Sequence, residues 1–529
     1  MTVTRRRLLA TATLGVASSV FKGVRLARAA DDVLRVVIHS PLRIIDPIVT
    51  IARNTQMHGY MVYDTLFSLD SKRVPRPQMV DTYTVTEDGK TFVFKLRPSL
   101  RFHDGAPVTS RDVIASLQRW GKKDGLGRML MEASELTAIE DDRFQLKLTK
   151  PFGMVLEALG KPGTYAPFIM PARIASASPD VAIKDATGSG PYIFKQDEWV
   201  PGSKSVYVRN PHWVSRSEPP DFLSGAKIPK IQRVEWVSFP DPNVALSALQ
   251  TGEIDYFEYP PLDLVGIVQE RRDLKLVKVD PWGAQGWIRP NSLHPPFNNP
   301  KARQALLHLV DQNQYMQTLG VPRDMYYQHC GAIFLCGTPL ETDVGASDYL
   351  TPNAKLARSL LEEAGYNGEK LVVLHPTDIP DMDAATTVTA QSLRKIGVNV
   401  DLQAMAWGTL LGRRLKREAP AQGGWNLYHT LDFSFNIDTP MANSFLVSSC
   451  DDAGPGWPCD AEIETLRFAW AKEPDAAKRL DVAKQIQRRF YQTVPYVPWG
   501  QFSRPVATRA SVQNIGATFI PVFWNLTKT

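Results

Sequence analysis

The sequence predicts an α/β protein of two lobes, with a smaller α+β unit inserted in the first. Three observations predict it. Residues 231–259 read as strand, helix, strand; residues 353–405 read as helix, strand, helix, strand; and residues 77–186 carry the alternating apolar pattern of antiparallel strands. With 529 residues, 43% of them hydrophobic, the chain can fill more than one core.

The first thirty residues read as an address and not as part of the fold. Thr4-Arg5-Arg6-Arg7-Leu8-Leu9 fits a twin-arginine motif, residues 8–20 are weakly apolar, and Ala27-Arg28-Ala29 supplies a small-x-small cleavage pattern. A membrane-anchoring helix is the competing reading, but the run is too short to span a bilayer, and no later segment offers the roughly 18 consecutive apolar residues that a span needs. The leader holds six of the 61 basic residues and none of the 55 acidic ones, which leaves 55 of each sign. That balance gives no reason to invoke nucleic acid or an anionic membrane surface. The expected location is the periplasm, reached by the twin-arginine route.

Residues 33–38 form a short strand of buried type, followed by a loop holding Asp46-Pro47 and a helical stretch through Tyr60, Val62, Tyr63 and Leu66. In the inserted unit Phe92, Phe94 and Leu96 share one face, as do Phe144, Leu146 and Leu148. A tight Asp104-Gly105 turn leads to a helix capped by Thr109 or Ser110. A hairpin follows around Pro201-Gly202. Gly188 and Gly190 precede Pro191 and a strand, whereas a phosphate cradle needs a helix N-terminus there. After strand 231–238, Pro242 or Asn243 opens a helix through Ala245, Leu246 and Leu249; Gly252 closes it, and a strand resumes.

The chain changes character at 273–300, where Pro281, Pro290, Pro295, Pro296 and Pro300 cluster. The second lobe then holds a helix with Leu306, Leu309 and Val310 on one face, a helix 353–364 stopped by Gly365, strand 371–374, a helix ending at Gly397, strand 398–405, and helices near 460–472 and 475–493. The strand-like tail, 500–529, is expected to return to the first lobe. The divisions are therefore 31–76, 187–272 and 496–529 for the first lobe, 77–186 for the insert, and 273–495 for the second lobe. Four cysteines allow three pairings. The simplest is two local staples, Cys330 with Cys336 and Cys450 with Cys459. A metal site on Cys330, Cys336 and His329 lacks any paired C-x₂-C spacing.

The run Arg101-Phe102-His103-Asp104-Gly105-Ala106-Pro107-Val108-Thr109-Ser110-Arg111-Asp112-Val113, preceded by Thr91-Phe92-Val93-Phe94-Lys95-Leu96-Arg97, closely resembles the signature of the family 5 extracellular solute-binding proteins, receptors for peptide, nickel and opine importers. The same resemblance continues in order through Arg209-Asn210-Pro211-His212-Trp213, Leu249-Gln250-Thr251-Gly252-Glu253-Ile254-Asp255, the stretch from Pro295 to Ala305, Leu360 to Tyr366, and Leu393 to Val398. It implies a two-lobed periplasmic-binding-protein fold of type II-like form, with an interlobe cleft and a hinge near 273–280 and 490–500. It also implies a monomer that needs no cofactor or catalytic residue and hands a peptide or small-molecule ligand to an inner-membrane ABC permease.

A closing cleft wants aromatic walls and a few oriented polar groups. Trp282, Trp287, Trp407 and Trp425 lie beside strand ends or loops of the second lobe and are candidate walls, with core packing as the alternative. In Gly424-Trp425-Asn426-Leu427-Tyr428-His429-Thr430-Leu431-Asp432-Phe433, the resemblance places Asp432 at the carboxylate that pairs with a peptide's α-amino group. Tyr428 and Phe433 come with it, and Tyr60 joins them from the first lobe. Such a pair suits a water-poor cleft, where an unpartnered ammonium would be costly. A capping or turn role is the alternative for Asp432. Asp438, before Thr439-Pro440, reads as turn chemistry. Arg413 is a candidate carboxylate clamp, in a run with Arg414 and Lys416 that otherwise reads as solvated. His429 invites a nickel reading but has no partners at metal spacing. An enzyme would need a motif such as His-Glu-x-x-His, Gly-x-Ser-x-Gly or a dinucleotide fingerprint, and none is present. Opine, sugar or nickel-chelate receptors, and a chaperone-like binder of unfolded chains, remain alternatives on the same scaffold.

Overall fold

A computed structural model describes residues 32–529; the leader, residues 1–30, lies outside them. The first lobe is built on a seven-stranded sheet in the order Tyr192–Phe194, Lys204–Arg209, Arg233–Val237, Val33–Val37, Tyr256–Phe257, Val506–Arg509, Leu274–Val277. Val33–Val37 pairs in parallel with both neighbours, because helix Pro242–Thr251 carries the chain over from one to the other. Asp241 caps that helix by accepting from the Asn243 amide, and Gly252 closes it in the left-handed region at φ 82°.

The insert carries a four-stranded antiparallel sheet in the order Val80–Val85, Thr91–Leu96, Arg143–Leu148, Ser134–Glu140. Its alternating residues point as expected: Phe92, Phe94 and Leu96 are buried, and Phe94 stacks on Phe144 at 5.0 Å. Helix Ser110–Gly121 begins at Thr109, which forms a reciprocal capping box with Asp112.

The second lobe holds a five-stranded sheet ordered Val400–Met405, Leu371–Pro376, Leu427–Phe433, Ala284–Pro290, Val497–Phe502. Leu371–Pro376 is buried throughout, packed by helix Pro380–Lys395 and by a separate cluster that includes Val372, Leu374, Trp425 and Trp457. Cys330–Cys336 and Cys450–Cys459 are both disulfide-bonded. Among the described residues no helix is long and apolar enough to cross a membrane.

The chain crosses between the two large sheets twice, from Val277 to Ala284 and from Phe502 to Val506. Two boundaries differ from expectation. Val497–Phe502 pairs with Ala284–Pro290 in the second sheet, although the sequence points 496–529 to the first lobe. Leu274–Val277 pairs with Val506–Arg509 in the first sheet, although the sequence points to residue 273 as the start of the second lobe. The buried run 494–499 has no periodicity that tells one sheet from the other. Helix Arg53–Val62 also stops short of Leu66. Gly188 lies against its end, where a Cβ would sit 2.0 Å from the Val62 carbonyl, so closeness of backbones and not phosphate binding explains this glycine.

Candidate functional site: the interlobe crevice

The crossing strands bring three groups of residues to the seam between the lobes. From the first lobe, Arg53 opens helix Arg53–Val62, and Glu258 and Tyr259 follow strand Tyr256–Phe257. Arg53 Nη2 donates to the Phe519 carbonyl at 3.0 Å, and its Nε lies 3.4 Å from Glu258 Oε1. Burial alone would raise the Glu258 carboxyl, but His39 and Arg53 outweigh it and hold it down at about 2. The buried Arg53–Glu258 pair is therefore an ionised and oriented platform.

From the second lobe, strand Leu427–Phe433 ends at the seam. Phe433 stacks on Tyr259 with ring centroids 5.7 Å apart and planes 6° from parallel. The Arg53 guanidinium lies 4.4 Å from the Phe433 ring, and Arg504, in the second crossing, lies 4.8 Å from Tyr259. Asp432 is half-buried beside this block. Its Oδ1 accepts from Asn436 Nδ2 at 2.7 Å and from the Phe433 amide at 2.8 Å, while Oδ2 takes part in no hydrogen bond among the described residues. Surrounding protein pushes the Asp432 carboxyl up to about 6, against the pull of those two donors and of Arg53.

In the first crossing, Asp280 accepts from Ser434 Oγ at 2.7 Å and from the Trp282 amide at 3.0 Å. Burial pushes it up to about 6 as well. Phe435 continues the aromatic block, 6.3 Å from Phe433, and forms part of the wall of a cavity of about 610 Å³. That cavity lies between the first lobe with its insert, which supply Arg73, Met154 and Lys161, and the second lobe, which supplies Asp438, Met441 and Trp470. Neither Asp432 nor Phe433 lines it. The two lobes enclose space of the size a small solute needs.

The family profile of the bacterial extracellular solute-binding proteins, family 5, matches residues 74–454. This chain belongs to that family. It is a solute-binding component of an ABC importer and not an enzyme. A probable peptide ABC transporter periplasmic-binding protein of Sinorhizobium fredii is 37% identical over the full length of both chains. A glutathione-binding protein of Escherichia coli is 23% identical, covering 92% of this chain and 91% of its own. Among solved structures, a dipeptide-binding protein of Pseudoalteromonas in complex with Met-Leu superposes with a TM-score of 0.75 at 20% identity, covering 94% of this chain and all of that one. An agropinic acid complex from Agrobacterium superposes at 0.74 with 20% identity, covering 94% and 99%.

The solute-binding protein gathers only some of the residues singled out from its sequence. Asp432 and Phe433 stand at the crevice, and Trp282 lies against its wall, stacked under Arg73 at 4.2 Å. Tyr60 is buried beneath, against Phe168 and Phe519. The others are corrections. Trp425 and Tyr428 are fully buried, 5.1 Å apart, in the separate apolar cluster of the second lobe that also holds Val372 and Leu374. Trp407 packs against that same cluster. Trp287 is fully buried between Phe445 and Tyr496. Arg413 donates to Gln403 and to the Gly424 carbonyl, tying its own lobe together. His429 is fully buried with Nε2 2.8 Å from Thr389 Oγ1, which closes its ring off from the crevice, and burial pushes it down to about 3. Asp438 is more than a turn residue: it pairs with Arg73 at 2.6 Å across the seam. Sequence reasoning missed Arg53, Arg73 and Tyr259, whose partners are remote in the chain.

Proposed function

We propose that the protein captures a short peptide, or a related small solute bearing an amine, in the interlobe crevice by closure of the lobes. It then delivers that solute unaltered to its membrane permease. The Asp432 carboxylate carries the reading. Protein donors satisfy and orient one oxygen; the other is left to accept from an ammonium group, in surroundings that strengthen such a bond. The peptide-transport name of the Sinorhizobium relative and the dipeptide in the Pseudoalteromonas structure support the same class. Micromolar binding corresponds to about 8 kcal/mol, within reach of one charged pair and aromatic packing. In this reading the protein is a monomer of the periplasm, exported by the twin-arginine route.

Titration with a tripeptide and its N-acetylated form, followed by tryptophan fluorescence and thermal stabilisation, tests the assignment. The free-amine peptide should saturate one site, and acetylation or Asp432→Asn should weaken it roughly tenfold or more. Equal binding of both forms would remove Asp432 from the amine-pairing role.

A further inference from the structure

The insert meets the second lobe at three places. Gly153 lies so close to the loop ahead of helix Ala476–Thr493 that a Cβ there would sit 2.6 Å from the Glu473 carbonyl carbon. At Gly163, φ 83°, a Cβ would strike the Phe435 ring. Glu157, on helix Val155–Leu159, pairs with Arg479 at 3.0 Å. Between those two glycines in the chain stand Met154, Glu157, Lys161 and Pro162, all in the wall of the 610 Å³ cavity. The insert therefore closes one side of that cavity.

The wall is hydrocarbon where it is buried. Leu126 and Met154 of the insert and Trp470 of the second lobe are buried in it, and Leu340, Met441 and Leu480 are half-buried. Its charged groups meet counter-charges within the protein: Arg73 with Asp438 at 2.6 Å, Lys161 with Asp124 at 2.8 Å, and Arg479 with Glu157. Lys72 stays in solvent. A charged guest would lose its water here and gain no free partner, whereas an apolar guest gains by leaving water. A methionine from each side, Met154 and Met441, adapts to guests of different shape. Ala476 and Ala477, short and exposed at the rim, leave the mouth open.

We infer that the insert and the second lobe form a chamber that receives a bulky apolar group of the bound solute, apart from the place where Asp432 takes the amine. The insert is then a specificity element. This deepens the reading above and rests on it. Phe435, in the chamber wall, is three residues beyond Asp432, a span of at most about 11 Å. A tripeptide has the length to keep its amine at Asp432 and place a leucine or aromatic side chain past Phe435.

Fluorescence titration of the full chain with N-phenyl-1-naphthylamine, a neutral apolar probe, tests the inference in wild type, Ala477→Trp and Ala442→Leu, each checked for unchanged melting. Ala442 is half-buried in the chamber wall, and Ala477 is exposed, so its replacement narrows the mouth without entering the core. Wild type should hold one probe per chain, and at least one of the two variants should weaken it roughly fivefold or more. Leu-Leu-Leu should displace the probe at a roughly tenfold or more lower concentration than Ala-Ala-Ala, since each buried methylene favours binding about three- to fourfold. If the variants weaken the probe but neither peptide displaces it or binds by calorimetry, the chamber stands as an apolar site and the peptide reading falls. If both peptides bind and N-acetylation weakens them, but Leu-Leu-Leu binds no tighter than Ala-Ala-Ala, the chamber assignment is overturned and the amine reading stands. Failure of the probe to bind, or binding that ignores both variants, also overturns the inference.

Discussion

Two donors and Arg53 favour the charged form of Asp432, and the packing around it disfavours that form more strongly. Since a ligand ammonium pairs only with the ionised carboxylate, affinity for an amine-bearing solute should be level above about pH 6. It should then fall by up to tenfold for each unit below; calorimetry between pH 7.5 and 5 measures this, and a flat profile would contradict it. Asp280 bears on stability with a defined sign. Its folded value of about 6 exceeds the value of about 3.9 for an unfolded chain, so the folded state holds the proton more tightly. Its contribution is full below pH 4 and is lost as the pH rises to 6, to the extent of about 3 kcal/mol. Relative to Asp280→Asn, the wild type should lose that much between pH 4 and 6.5 in chemical denaturation. That Asp432 ends a strand at the seam was legible in the sequence, because it occupies a fixed place in a recognisable run. The tryptophans were not: beside a strand end, Trp287 and Trp425 have the same local pattern whether they face a crevice or a core. Arg73 was illegible for another reason, since its partner Asp438 meets it only through the tertiary fold.

At the level of elements, local chemistry sufficed wherever a cap or a turn decided the outcome. Thr109 with Asp112, and Pro242 with Gly252, bound their helices as the sequence indicates. Strand Val497–Phe502 escaped because its continuous burial carries no sign of which sheet it joins. Its place depends on Gly286 of the facing strand, where the register shifts and the Trp499 ring crosses close by. A Cβ at Gly286 would lie 1.9 Å from Trp499 Cζ2. Gly286→Ala should therefore cost roughly 1–3 kcal/mol or more by overpacking, seen as a lower denaturation midpoint; an unchanged midpoint would mean that the sheet yields there. Replacing either cysteine pair by serine should cost about 2 kcal/mol, as expected for short closed loops. Parallel denaturation with and without reductant checks that value.

For the whole molecule, the contacts between the lobes include the Tyr259–Phe433 stack, Arg53 against the Phe433 ring, the Arg73–Asp438 pair, and the Arg479–Glu157 pair from helix Ala476–Thr493 to the insert. Seams of this kind can open and shut, as capture and release require. Tyr259→Ala removes a stack of about 1 kcal/mol and should weaken ligand binding several-fold, with a larger radius of gyration in solution scattering. The two-lobed plan and the family were legible because ordered motifs run along most of the chain; the crevice lining was not, because residues from three distant stretches compose it. The central claim is that these lobes hold one small amine-bearing solute and let it go unchanged. Calorimetry with a free tripeptide, followed by mass spectrometry of the released ligand, tests that most directly. The account predicts one site per chain and recovery of the intact peptide; absence of saturable binding, or recovery of cleaved or modified peptide, would contradict it.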